Sequence, residues 1–126
     1  DGVTAYAWTK RAEVILNELW AERLAGTGVT CNAMHPGWAD TPGVRTSLPR
    51  FHSWMKGRLR SAAEGADTAV WLAVAPRLGG TSGKWFFDRA ERWTHWSPTT
   101  WETEADRTAL WQLCERATGA SGLPGA

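Results

Sequence analysis

The chain has 126 residues, 43% of them hydrophobic and 21% charged, which fits one ordinary globular domain and excludes a disordered segment. A net charge of +1 gives no electrostatic reason to bind nucleic acid, an anionic membrane or an acidic partner, so no nucleic-acid partner is expected. No apolar run is long enough to cross a bilayer, so no transmembrane segment is predicted.

Cys31 and Cys114 are far apart in apolar surroundings and read as buried free thiols in a reducing compartment, which makes a cytoplasmic location the expectation. The chain opens at Asp1 with no initiator Met and no targeting segment, so it reads as part of a longer product, a processed chain or an incomplete one. Ten Trp stand beside three Phe and one Tyr, which leaves Tyr6 as the only phenol available for chemistry.

Residues 4–25 make the best helix, with Trp8, Ala12, Ile15 and Leu19 as its apolar stripe, Thr4 as N-cap and Gly26 or Gly28 as its end. Gly28 to His35 then reads as a buried strand of about six residues, closed by Pro36-Gly37. Trp38 to Lys56 carries Pro42 and Pro49 and predicts short helical pieces. Ser61 and Glu64 form a capping box for a helix through Ala73 that Pro76 stops. Gly79, Gly80, Ser82 and Gly83 turn into an aromatic strand at Lys84–Asp88, and 89–98 reads as loop. Thr99 and Glu102 suggest a second capping box, opening a last helix that Gly119 ends. Helix, strand, helix, strand, helix is an α/β alternation. Two strands make a poor sheet, so these read as the last strands of a parallel sheet whose first strands are missing.

Tyr6 and Lys10 are four residues apart and share one face of the first helix. A free phenol has a pKa near ~10, and a neighbouring cation lowers it toward the range of a general acid/base. By itself the pair also fits a Tyr packed on an aliphatic Lys stem. Downstream, the strand ends in His35-Pro36-Gly37-Trp38-Ala39-Asp40-Thr41-Pro42-Gly43, at the C-terminal strand end where open parallel sheets bind ligands.

This order resembles the short-chain dehydrogenase/reductase superfamily: a helical Tyr-x-x-x-Lys, a Gly-Val strand carrying Asn32 before Pro-Gly, and Thr41 four residues after Gly37. Gly83 to Asp88 also looks like the family's last sheet strand, so the resemblance runs from Tyr6 to about Gly119. The wording from His35 to Val44 is similar to the branch of dehydrogenase/reductase family member twelve and the retinol-dehydrogenase-like proteins. The resemblance implies the C-terminal part of a doubly wound parallel-sheet (Rossmann-type) α/β domain over 1–118, followed by a flexible tail at 119–126.

It further implies an NAD- or NADP-dependent oxidoreductase that interconverts an alcohol and a carbonyl. Tyr6 would be the acid/base, with Lys10 holding the nicotinamide ribose and lowering the Tyr6 pKa. Pro36, Gly37 and Trp38 would border the nicotinamide, and Thr41 would contact its carboxamide or the phosphates. Residues 42–60 would form a variable lid over a small or lipophilic alcohol or carbonyl substrate. Homo-oligomer contacts are expected through the Tyr-bearing helix (4–25) or the last helix–strand unit (62–88).

The chain departs from the family in lacking the Gly-rich phosphate turn and the catalytic Ser. That Ser lies about a dozen residues before the Tyr in the family, whereas Ser47, Ser53 and Ser61 all follow Tyr6. The chain alone is therefore expected to be inactive, and by itself to leave a sheet edge and apolar helix faces uncovered. The alternative is a non-catalytic truncated product acting as an interaction or oligomerisation module. His35, His52 and His95 lack metal-site spacing, so no metal is expected. His35 either lines the cofactor cleft or caps the strand end, and Trp38 either walls the site or packs. Lys56, Arg58 and Arg60 read as a solvated face, and Trp93, Trp96 and Trp101 as a substrate mouth, membrane contact or oligomer surface.

Overall fold

A computed structural model of the chain describes residues 1–120. Helix α1 spans Gly2–Arg23, and its N-cap is Asp1, whose carboxylate accepts from the Thr4 amide at 2.8 Å. Thr4 is thus the capped residue and not the cap. Gly26 and Gly28 follow with φ of 80° and 82°, the left-handed backbone expected of glycine at that turn.

Strand β1 is only Ala33–His35, shorter than the Gly28–His35 run suggests. Side chains replace part of the ladder before it. The Cys31 amide donates to Ser82 Oγ, and the Asn32 amide group clips the facing loop by donating to the Thr81 carbonyl (2.8 Å) and accepting from the Lys84 amide (3.1 Å). Helices α2 (Pro42–Ser47) and α3 (Pro49–Met55) are the short pieces expected, each with Pro at its start, where the missing N–H costs nothing. Helix α4 (Ala62–Val74) opens on the Ser61–Glu64 capping box and gives way to a 3-10 turn at Pro76–Leu78.

Strand β2 (Trp85–Phe87) lies between β1 and β3 (Ala90–Glu91) in a three-stranded sheet. β3 falls where loop was expected. It pairs antiparallel with β2 in the register Phe86↔Glu91 and Phe87↔Ala90, so the sheet is mixed where a parallel one was predicted. The hairpin turn is Asp88-Arg89, with φ of 52° and 57°. Two successive left-handed residues match the right-handed twist of the strands.

Helix α5 spans Glu104–Thr118 and ends at Gly119, φ 69°. Its capping box is Thr103 with Asp106, and the expected Thr99–Glu102 box does not form. Thr99 and Thr100 instead belong to a 3-10 turn at Pro98–Thr100. Of the expected tail 119–126, residues 121–126 lie outside the described residues.

Two compact units emerge. The first holds Asp1–Ala33, Gly80–Trp85 and the chain from Arg92; α1 packs on α5 there through buried Ile15, Leu19 and Trp111, with Leu16, Trp20 and Leu110 beside them. Trp20 and Trp111 meet edge-on at 5.2 Å, and the Arg23 guanidinium sits 3.8 Å from the Trp111 ring. Of the predicted stripe, Ile15 and Leu19 are buried, whereas Trp8 is exposed. The second unit, Met34–Gly79 and Phe86–Glu91, packs around Phe86, Ala39 and Thr68, with Trp71 edge-on to Phe86. Cys31 and Cys114 are free and half-buried, less enclosed than predicted. Among the described residues no helix is long and apolar enough to cross a membrane.

Candidate active site

Tyr6 and Lys10 project from one face of α1, as the four-residue spacing requires, and both are open to solvent. The Lys10 ammonium lies 5.9 Å from the centre of the Tyr6 ring. Its nearest partner is Glu13, one turn on, whose carboxylate oxygens accept at 2.7 and 3.0 Å. That hydrogen bond, aided by the negative charge of Glu13, outweighs desolvation and holds the Lys10 pKa above its ordinary value, so the ammonium stays charged. Glu13 was the unforeseen neighbour, although its i+3 position was readable in the sequence.

Pro36, Gly37, Trp38 and Thr41 belong to the second unit, and Tyr6 and Lys10 to the first. Gly37 has φ 73°, and its amide donates to His35 Nδ1 at 2.9 Å, so His35 caps the strand end while its ring rests 5.9 Å from Phe87. The Trp38 ring meets Phe51 of α3 at a tilt of 48°, ring centres 4.4 Å apart, and keeps half its surface exposed. Thr41 is the N-cap of α2, its hydroxyl accepting from the Val44 amide at 3.3 Å.

Asp40 fastens both short helices. It accepts from Arg45 Nε at 2.7 Å and contacts His52 Nε2 at 2.9 Å. The Arg45 hydrogen bond, with help from His52, outweighs desolvation and lowers the Asp40 pKa. Of the basic residues expected on a solvated face, Lys56 and Arg58 are exposed, and Arg60 alone departs from the expectation. Its guanidinium makes a two-pronged pair with Asp88 (2.5 and 2.7 Å) and donates to the Pro36 carbonyl at 3.3 Å. Among the described residues no group of three or more His, Cys, Asp or Glu could hold a metal ion.

No protein-family model matches the chain. It is similar to dehydrogenase/reductase SDR family member 12 of Bos taurus, 50% identical over 96 residues that make up 75% of this chain and 30% of the relative. Retinol dehydrogenase 12 of Homo sapiens is 38% identical over 91 residues, 71% of this chain and 29% of the relative. Retinol dehydrogenase 13 of Mus musculus is 35% identical across 99% of this chain and 40% of its own length. The chain therefore spans well under half the length of these curated relatives. The ordered motifs from Tyr6 to Thr41 and the likeness to several relatives of one kind agree: the chain belongs to the short-chain dehydrogenase/reductase superfamily, in the branch of dehydrogenase/reductase family member 12 and the retinol dehydrogenases.

Proposed function

We propose that the whole protein is an NAD(P)-dependent oxidoreductase that interconverts an alcohol and a carbonyl, and that this chain is the C-terminal part of its doubly wound domain. The observation that carries the reading is the solvent-facing pair on α1: the phenol of Tyr6 with the charged ammonium of Lys10 beside its ring. This donor set fits the nicotinamide-ribose side of a dinucleotide. An ammonium has three N–H donors, so Lys10 can reach ribose hydroxyls while still paired with Glu13. A nicotinamide nucleotide held there would supply the hydride-transfer chemistry at the carbonyl or alcohol carbon.

Tyr6 does the proton work. In reduction its hydroxyl gives a proton to the carbonyl oxygen as the alcohol forms, and the phenolate recovers a proton from solvent. In oxidation the phenolate takes the alcohol proton. Gly37 and Trp38 would border the ring, and Thr41 would offer its hydroxyl proton to the carboxamide or the phosphates while still accepting from Val44. A lipophilic substrate is supported by the names of two of the relatives, both retinol dehydrogenases.

The alternative, a non-catalytic interaction module, draws on the exposed Val3 and Trp8 of α1. The two readings part on Tyr6→Phe in the whole protein. Loss of general acid/base catalysis should lower turnover about 100-fold or more with cofactor affinity nearly unchanged. Unchanged turnover would contradict the role of Tyr6, and no turnover in the unsubstituted protein would favour the module. Lys10→Ala should weaken both cofactor binding and rate; normal values for both would remove its ribose contact.

A further inference from the structure

We propose that Arg60 is the positioning residue for the Pro36–Thr41 turn, an inference that rests on reading that turn as the nicotinamide border. The backbone of Arg60 brackets Ala39 in an isolated parallel bridge. Its amide donates to the Trp38 carbonyl at 2.9 Å, and its carbonyl accepts from the Asp40 amide at 2.8 Å. Its side chain then turns back along the same segment and donates to the Pro36 carbonyl. The guanidinium lies so close to Gly37 that a Cβ there would sit 2.9 Å from its Cζ, Nε and Nη1 atoms. Residues 36 to 40 are thus held at successive points by one residue.

The far end of the guanidinium is fixed as well. Asp88 grips it with both carboxylate oxygens, and the Phe87 ring lies 5.0 Å beneath. Asp88 and Arg89 form the left-handed pair of the β2–β3 turn, a conformation uncommon outside glycine that Asp tolerates better than Arg. The next residue of that turn, Arg89, is tied to α4 by an ion pair to Asp67 and by its amide donating to Thr68 Oγ1 at 3.2 Å. The turn is therefore anchored to α4, and it presents Asp88 to Arg60. A lysine could supply the charge but neither the two-pronged geometry nor the flat face against Gly37.

The test uses the whole protein with Arg60→Lys, Arg60→Ala and Asp88→Asn. NADH and NADPH binding is followed by quenching of Trp fluorescence, and KM for the cofactor is measured separately from kcat. The expected result is a cofactor Kd and KM raised about tenfold in Arg60→Ala and several-fold in Arg60→Lys and Asp88→Asn. At saturating cofactor, kcat should stay within about threefold, because Tyr6 and Lys10 are untouched. If Arg60→Ala fails to fold, the two milder variants carry the comparison. A lowered melting temperature with unchanged Kd and KM would mean a merely structural residue and would overturn the inference alone. No saturable binding of either nucleotide to the unsubstituted protein would overturn the underlying reading of the turn and this inference together.

Discussion

Glu102 shows how one side chain can order a segment that has little regular structure. Its carboxylate accepts from Arg11 of α1 at 2.6 Å and lies 3.7 Å from Arg107 of α5. Arg11 also donates to the Thr94 carbonyl and to His95, and Arg107 reaches Glu18 and Glu22 of α1 at 2.8 and 2.6 Å. The loop between β3 and α5 is thus fastened to both helices by charge rather than by apolar burial. Burial by itself would raise the Glu102 pKa, but hydrogen bonds from Arg11 and from its own backbone amide, with the charge of Arg11, outweigh it and hold the pKa below the ordinary value. A carboxyl whose pKa is depressed in the folded state stabilises that state above its unfolded pKa, and the contribution is lost as pH falls through the folded pKa. Acidification from about pH 5 to pH 3 should therefore lower the urea midpoint more steeply in the natural protein than in Glu102→Gln. Equal slopes would show that Glu102 is not coupled to folding.

Element boundaries are legible in the sequence where a single local signal marks them and illegible where distant contacts decide between signals. Ser61-x-x-Glu64 announced α4 correctly because no competing box lies near it. Ahead of α5 two boxes stand end to end, Thr99-x-x-Glu102 and Thr103-x-x-Asp106, and local pattern cannot choose between them. The choice is made at long range: Arg11, 91 residues away, takes the Glu102 carboxylate, and Thr103 becomes the cap. Thr103→Ala should consequently cost about 1 kcal/mol, while Thr99→Ala should cost a few tenths at most. Chemical denaturation of the two variants checks this, and the reverse order would restore the earlier box. The β3 hairpin was hidden for a related reason. Asp88-Arg89 lacks the Asn-Gly signature of such turns, and its partners Arg60 and Asp67 lie 28 and 22 residues away.

Across the whole molecule, the candidate site was legible where it depended on local spacing. Tyr6 and Lys10 share a face because helical periodicity puts residues four apart together, and Pro36-Gly37 marks the end of β1. The holding contacts were illegible because they join distant parts of the chain, as Arg60 does in reaching both Pro36 and Asp88. The element order was readable from composition and punctuation. The mixed sheet was not, since the two residues of β3 show no alternation to read. Large side chains stay exposed on more than one side of α1, Val3, Tyr6 and Trp8 among them, in agreement with the proposal that this helix meets other parts of a longer protein. The chain covers 30% of one relative and 40% of another, in keeping with that proposal.

In the function proposed above, Tyr6 supplies the proton that accompanies hydride transfer from a nicotinamide nucleotide to a carbonyl. The direct measurement supplies the whole protein with reduced nicotinamide nucleotide deuterated at its hydride position and a panel of lipophilic aldehydes, and locates the label in the alcohol by mass spectrometry. The expected result is one deuterium on the carbinol carbon, formed by the natural protein and nearly absent with Tyr6→Phe. Alcohol formed without the label, or labelled equally well by Tyr6→Phe, would contradict the account.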